Sequence, residues 1–218
     1  MSAANEYIVR AIVEGIKKEP VLMDDVLKIL LEQTSKYVQN NFNIKLHFDS
    51  VNDLEPMLVG IANKYPAENA LIYGIGKGES TTIGSTGVIS RRLAKGAPKA
   101  LVDKLGLTQQ LKGSKTLYDV VSKYKAALVQ IGFVKDSEII LTNLDGGDVR
   151  VQLSGKCSFM PACQALSKEG VYDIFGNIAC IRTLIFAGIA ESILKYSSYD
   201  IKVENYNPPN CKMKIFEV

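Results

Sequence analysis

Four cysteines, Cys157, Cys163, Cys180 and Cys211, are the residues of this chain best suited to chemistry. Thiolates bind zinc or an iron–sulfur cluster well, whereas an unmodified cysteine also serves as a small apolar core residue. In a reducing compartment thiols are poor disulfide candidates and better metal ligands. We therefore predict one metal site that uses all four cysteines, with zinc as the first candidate and an iron–sulfur cluster as the alternative. A three-thiol site and simple core packing stay open.

These cysteines are spread over a predicted loop, a helix start and a strand start, so only the fold could bring them together. Residues 138–144 are rich in β-branched side chains, residues 145–148 have turn chemistry, and residues 149–154 alternate apolar and polar side chains. This order predicts a hairpin with one buried face. An apolar helix is predicted over 177–196, and two further alternating segments, 201–204 and 212–218, predict two more antiparallel strands.

The first part of the chain has the spacing of amphipathic helices. Apolar residues recur at helical intervals over 9–18, 24–41 and 54–61, and the alternating residues 42–48 predict a short strand. The predicted fold class is α+β: a helical N-terminal part packed on a four-stranded antiparallel sheet, with a long helix between the second and third strands. We predict an N-terminal helical region at 1–66 and a ligand-binding domain at 67–218.

A glycine-rich segment includes Gly74, Gly76 and Gly78, and it invites comparison with nucleotide-binding loops. The phosphate-loop pattern needs Ser or Thr after the Gly-Lys pair, but Lys77 is followed by Gly78, and the dinucleotide spacing is also not met. We interpret these glycines as close-packed backbone or a flexible lid.

Composition narrows the class of protein. The formal charge is only +3 over 218 residues, without a long basic block, so we expect no nucleic-acid partner. The longest apolar run contains Arg182 and Glu191, and the first residues lack a secretory pattern, so we expect a cytoplasmic protein without a transmembrane segment. The single histidine, His47, and the lack of a nucleophile–base pair favour a binding protein over an enzyme.

The last two thirds of the chain resemble the 4-vinyl reductase domain family, also called hydrocarbon-binding proteins, whose fold is similar to that of transport protein particle (TRAPP) subunits and haem–nitric-oxide binding domains. The resemblance covers roughly residues 67–218 and is strongest from Ile139 onward. Its motifs are the hairpin ending at Gly155-Lys156-Cys157, the stretch Phe175-Gly176-Asn177-Ile178-Ala179-Cys180, the pair Ala187-Gly188, the strand Asp200-Ile201-Lys202-Val203-Glu204, and the closing Asn210-Cys211-Lys212-Met213-Lys214-Ile215.

This resemblance implies a set of metal ligands. In aromatic-sensing members a structural zinc is held at the hairpin end, at the start of the long helix and before the last strand, which are the places of Cys157, Cys180 and Cys211. Those sensors have a further cysteine near the position of Asn205, and here Cys163 is the available fourth ligand.

The resemblance also implies a small hydrophobic ligand, such as an aromatic compound, a hydrocarbon or a lipid, and a homodimer. Ordinary core packing is the alternative for each lining residue, and Arg182 and several tyrosines are candidates for polar contacts. A dimeric TRAPP-like scaffold without a ligand is the second functional hypothesis, and a reductase is the third. The predicted ligand-binding residues are Tyr73, Tyr118, Phe159, Met160, Tyr172, Phe175, Ile181 and Ile185.

Overall fold

The computed structural model of the protein describes residues 3–18, 24–84, 87, 90–91, 93, 102–103, 106–155, 157–172 and 180–218. Phe175, the predicted helix start at Asn177 and part of the quoted motifs lie outside the described residues. The helices with described bounds are α1 (Ala3–Lys18), α2 (Asp24–Phe42), α3 (Val51–Ala62), α4 (Glu68–Ile83), α5 (Thr108–Leu111), α6 (Leu117–Gln130), α7 (Met160–Lys168) and α8 (Ile181–Leu194). The strands are β1 (Ile139–Asn143), β2 (Val149–Leu153), β3 (Tyr199–Asn205) and β4 (Lys212–Glu217).

The four strands form one antiparallel sheet in the order β1-β2-β4-β3. The predicted turn joins β1 to β2, and Gly146 and Gly147 adopt φ angles of 83° and 88° there, a region that favours glycine. β4 inserts between β2 and β3, with Val149 opposite Ile215 in the β2–β4 ladder. The predicted hairpin and the two predicted C-terminal strands are therefore confirmed.

One face of the sheet carries the core, because side chains alternate along each strand. In β2, Val149, Val151 and Leu153 are buried, whereas Arg150 and Gln152 are half-buried. Helices α6 and α8 contact the sheet, α6 at β1 and α8 at β3 and β4. The fold is α+β as predicted, with helical elements in the N-terminal part and α8 between the second and third strands. A shorter helix, α7, precedes α8 where the sequence predicted a loop.

The three N-terminal helices are also confirmed, with bounds slightly longer than predicted. Ser50 caps α3: its hydroxyl accepts a hydrogen bond from the Asn52 N–H at 3.2 Å, and the Asp53 carboxylate accepts one from the Ser50 N–H at 2.7 Å. This reciprocal pair satisfies donors that have no intrahelical acceptor at a helix N-terminus.

The strand predicted over 42–48 is wrong. Phe42 is the last residue of α2, and residues 43–48 have no ladder partner among the described residues. Burial does alternate along this segment, since Ile44 and Leu46 are half-buried and Phe48 is buried, while Lys45 and His47 are exposed. The period-2 pattern identified an extended chain packed on α2, but it could not show that no neighbouring strand pairs with it.

The glycine-rich segment belongs to helix α4, and its glycines allow close helix contacts. A Cβ added at Gly74 would overlap Thr34 Oγ1 and lie 2.7 Å from the Leu30 carbonyl oxygen, both on α2. One added at Gly76, on another face, would lie 2.8 Å from Leu166 Cδ1 of α7. The interpretation of these glycines as close-packed backbone is therefore confirmed.

Buried apolar side chains form one continuous cluster across the predicted boundary at 66/67. The cluster includes Val38 and Leu58 before the boundary and Leu71 and Ile215 after it. Helices α2 and α4, which lie on opposite sides of the boundary in sequence, pack against each other. The division into 1–66 and 67–218 stays a prediction. Among the described helices, none combines the length and apolar content that a bilayer-spanning segment requires.

We expect the Gly74→Ala variant to be less stable than the wild type, because its Cβ would meet the backbone of α2. Overpacking of this kind costs about 1–3 kcal/mol. Gly60→Ala in α3 is the matched control, since an added Cβ meets no atom within 4 Å. There the better helix propensity of alanine is expected to add about 0.5–1 kcal/mol. Urea unfolding measures both changes, and equal stability of the two variants would contradict the close α2–α4 contact.

Candidate metal and ligand site

Cys211 is placed by the pairing of β2 with β4. Its carbonyl oxygen accepts a hydrogen bond of 2.8 Å from the Leu153 N–H at the end of β2, and its residue is only 6% exposed. In the preceding linker, the Tyr206 hydroxyl donates a hydrogen bond to the Cys163 carbonyl oxygen at 3.2 Å. Cys211 therefore lies beside the last residue of β2, and the chain continues from this strand to Cys157.

Cys157 and Cys163 lie on either side of the start of α7. The Met160 N–H donates to the Cys157 carbonyl oxygen at 3.0 Å, and the Cys163 N–H donates to the Phe159 carbonyl oxygen at 3.1 Å. The first bond closes a turn and the second begins the helix. Cys163 is therefore part of α7, and Cys157 accepts the hydrogen bond of the turn that precedes this helix.

Cys180 is the N-cap residue of α8, which begins at Ile181, whereas the sequence predicted a helix from residue 177 with Cys180 inside it. Its carbonyl oxygen accepts a hydrogen bond from the Leu184 N–H at 2.9 Å. Its thiol and the Thr183 hydroxyl are hydrogen-bonded at 3.3 Å. The α8 helix is buried from Ile181 to Ala190, so Cys180 is attached to a rigid part of the core.

All four cysteines line one cavity. The space inside it is about 20 Å³, enough for one water-sized group but not for an organic compound. The fold thus brings together thiols that are up to 54 residues apart in sequence, from Cys157 to Cys211 (211 − 157). The remaining lining residues are Leu153, Met160, Tyr206, Pro208, Pro209 and Met213.

The cavity favours neutral thiols when no cation is present. Burial raises the pKa of the Cys163 thiol well above its ordinary value, and the neighbouring Cys157, Cys180 and Cys211 raise it further. Burial likewise raises the pKa of Cys180 to about 11, although the hydrogen bond from Thr183 lowers it, and burial raises the pKa of Cys211. A thiol becomes a good ligand only as the thiolate, so a positive charge in the cavity would be needed to ionise these groups.

The residues around the cavity fit a thiolate-bound cation. Among the residues that the structure describes, no histidine or carboxylate lines the cavity, and a donor set of sulfur alone suits zinc or an iron–sulfur cluster. The buried Arg182 guanidinium favours the ionised form of Cys163, and N–H groups of Thr183 and Asn207 bond to Cys180 and Cys211 and favour their thiolates. Such donors offset the negative charge of a multi-thiolate site.

The thiols are not arranged as a finished metal centre. Within the described ranges, no three histidine, cysteine or carboxylate side chains stand at the spacing that would hold a metal ion, and all four cysteines are free thiols. Binding an ion would therefore require the side chains to rotate toward one another inside the shared cavity.

Four of the predicted ligand-binding residues lie around the cysteine segments. Met160 lines the cavity itself, and Phe159, the residue before α7, is buried at 3% exposure. Ile181 and Ile185 are buried on α8, at 6% and 5% exposure. The structure therefore brings these four residues to the elements that carry the thiols.

The other predicted ligand-binding residues do not line the cavity. Tyr172 is nevertheless close to it, because it is buried in a small cluster with Leu166 against which Cys163 packs. Tyr73 is half-buried on α4, where its hydroxyl donates to the Glu169 carboxylate at 2.8 Å. Tyr118 is exposed on α6, and Phe175 lies outside the described residues. Neither Tyr73 nor Tyr118 lines the cysteine cavity.

A larger groove lies away from the cysteines. It measures about 630 Å³, a size that suits a small ligand, and runs between α2 and residues 47–49. Leu27, Leu31 and Phe48 are among its apolar lining residues, and charged side chains of α2 line it as well. None of the seven predicted ligand-binding residues that the structure describes lines this groove.

Two buried polar residues near the cysteine segments, Glu68 and Asn69, were not identified from the sequence, whereas Arg182 was a candidate for a polar contact. Glu68, Asn69 and Arg182 are 1%, 0% and 5% exposed, and the Arg182 Nη2 donates to the Ser158 hydroxyl at 2.7 Å. Arg182 also lies 5.7 Å from the centre of the Phe159 ring. The only available signal was the occurrence of an arginine within the apolar run of α8, which we interpreted as a polar contact to a ligand.

Comparison with known proteins identifies no family for this chain. No known protein-family model matches the sequence, and no curated protein matches it either.

We expect Glu68 to make stability depend on pH. Burial raises its pKa to about 7, although Arg182 partly opposes this shift, and Oε2 has no hydrogen-bond partner among the described residues. The native state therefore keeps a proton that the unfolded chain, with a pKa of about 4.5, releases. The unfolding free energy should be highest below pH 4.5 and fall by about 3 kcal/mol as the pH rises through 7, given about 1.36 kcal/mol per pKa unit.

The Glu68→Gln variant removes this titration while keeping the side-chain shape. Denaturant unfolding of the variant and the wild type at a series of pH values from 4 to 8 isolates the contribution. The variant should gain stability over the wild type as the pH rises, with the gain complete above pH 7. A difference that stays constant across the series would show that Glu68 has the same pKa in the native and unfolded chains, so that burial does not raise it.

Proposed function

We propose that this protein binds a small apolar compound, and that a structural zinc bound by cysteine thiolates braces the binding site. The observation that supports the proposal most directly is the convergence of Cys157, Cys163, Cys180 and Cys211 on one cavity of about 20 Å³. Four thiolates are one of the ligand sets that proteins use for closed, structural zinc sites, and this is what supports the proposal.

In this proposal Cys157, Cys163, Cys180 and Cys211 hold the metal. A bound zinc would add to the folding free energy, because the ion would link segments that are far apart in the sequence. The chain's own residues prepare the site: Thr183 favours the thiolate of Cys180, and Arg182 contributes positive charge. An iron–sulfur cluster is the alternative cofactor for the same sulfur donors.

The apolar ligand is proposed from the resemblance to hydrocarbon-binding domains and from the lining of the cavity. Apart from the thiols and Tyr206, the described residues of that lining are apolar. Met160 and Met213 are unbranched side chains that adapt to neighbours of different shape, so they could yield to a compound larger than the present space. We propose Phe159, Ile181 and Ile185 as the surrounding wall, since they are buried on the same elements.

A TRAPP-like homodimer without a small ligand is the alternative function, and it would retain the metal as a purely structural element. A reductase activity lacks support from any nucleophile–base pair in the sequence. We propose a cytoplasmic location, because the four cysteines are free thiols and a reducing compartment keeps them so.

Purified wild-type protein is expected to contain one zinc per chain by elemental analysis, without the brown colour of an iron–sulfur cluster. Cys157→Ser, Cys180→Ser and Cys211→Ser should each lose the metal, because a hydroxyl replaces a zinc-binding thiolate. Met160→Leu is the matched control, since it changes a lining side chain but no sulfur ligand proposed here. Cys163→Ser distinguishes a four-thiolate site, which would lose metal, from a three-thiolate site, which would retain it.

Removal of the metal by a chelator should lower the unfolding free energy, because the ion binds the native chain only. The loss is about 4 kcal/mol at a free zinc concentration 1,000 times the dissociation constant. Metal content that survives in all three serine variants, or no metal in wild-type protein refolded with zinc, would refute the site.

Solvent extraction of the wild-type protein followed by mass spectrometry should release a stoichiometric apolar compound. Met160→Trp is expected to exclude that compound, because the indole would fill the space beside the cysteines. Met57→Trp is the matched control, as Met57 is 38% exposed on α3. A ligand-free wild type with a stable dimer would favour the scaffold alternative.

A further inference from the structure

Asn69 connects helix α4 to the segment between Cys157 and Cys163. Its Nδ2 donates a hydrogen bond to the Ser158 carbonyl oxygen at 2.8 Å, and its Oδ1 accepts one from the Ala162 N–H at 3.1 Å. Asn69 is 0% exposed, and the two partners lie 89 and 93 residues away in sequence. Both ends of this amide therefore bind backbone, each one residue from a cysteine.

The Ala162 N–H is one of the donors at the start of α7 that lack an intrahelical acceptor. Phe159, the N-cap residue of α7, makes no side-chain capping hydrogen bond. Asn69, which belongs to helix α4, thus accepts the hydrogen bond that an N-cap side chain of α7 would normally accept. Because it binds the Ser158 carbonyl oxygen at the same time, it fixes the turn after Cys157 relative to the helix that carries Cys163.

We propose that Asn69 is a positioning residue of the cysteine site, which sets the distance and direction between Cys157 and Cys163 for a bound metal. This inference rests on the proposed function. Asn69 does not touch the metal; it acts through the backbone of Ser158 and Ala162. Groups that orient metal ligands in this way typically change metal affinity by about 10–100-fold when they are removed.

A second contact limits the size of the expected effect. The Arg182 guanidinium, on the helix that follows Cys180, donates to the Ser158 hydroxyl at 2.7 Å. The segment after Cys157 would therefore stay attached to α8 when Asn69 is replaced. The four thiols should still bind, but less tightly, because Cys157 and Cys163 would no longer be held in one arrangement.

The test measures zinc affinity of the full chain by competition with a chromogenic chelator, and the coordination sphere by the visible spectrum of the cobalt-substituted protein. Asn69→Ala is expected to bind zinc about 10–100-fold more weakly than the wild type while retaining thiolate-to-cobalt charge-transfer bands. Asn69→Asp, which is isosteric but loses the amide donor to Ser158, should weaken binding in the same direction, and it replaces the alanine variant if that one does not fold.

Leu54→Ala is the control for a loss of stability alone. Leu54 is 0% exposed in α3, which packs on α1 and α2. This variant should unfold more easily yet bind zinc as tightly as the wild type, under conditions where circular dichroism shows every protein folded. Wild-type affinity in both Asn69 variants would overturn the positioning role. A wild type that takes up no zinc or cobalt would refute the proposed metal site itself.

Discussion

The close contact between α2 and α4 is the packing interaction on which the rest of the structure depends. Gly74 allows the α4 backbone to lie directly against Thr34 and the backbone of α2, and on another face Gly76 receives Leu166 of α7. Helix α4 therefore touches the N-terminal helices on one side and a cysteine-bearing helix on the other. Its first turn carries Glu68 and Asn69, so the position of α4 also decides where these buried polar groups lie.

The buried polar side chains near the cysteines differ in how completely their hydrogen-bonding groups are satisfied. Asn69 satisfies its hydrogen-bonding capacity with backbone groups, which is the usual condition for a polar side chain in the interior. Glu68 and Arg182 lie within electrostatic range of each other, but Glu68 Oε2 and Arg182 Nε have no hydrogen-bond partner among the described residues. Burial at low dielectric raises the pKa of Glu68, and the nearby Arg182 charge only partly opposes this shift. The same positive charge favours the ionised form of the Cys163 thiol.

Secondary-structure predictions succeeded where the signal is local in the sequence and failed where tertiary contacts decide the structure. The hairpin and the last two strands could be predicted because alternating side chains and turn glycines are local features of the sequence, and the strands form where these features occur. Residues 43–48 carried the same alternation, yet they have no strand partner among the described residues, because pairing depends on what lies beside a segment. Helix α4 was missed because glycines lower intrinsic helix propensity, and here contact with α2 and α7 outweighs that cost. Helix α7 was missed although Pro161 suits a first helical turn.

By itself the sequence determined the class of fold, the order of most elements and the residues able to bind a soft metal, because these depend on side-chain chemistry and on short-range periodicity. Only the tertiary structure decided that four distant thiols line one small cavity and that Asn69 binds the backbone between two of them. It also decided that the glycines of α4 allow this helix to pack closely against α2 and α7. Those outcomes depend on contacts between residues far apart in the chain, and no local pattern encodes the distance between elements that meet only when the core is packed.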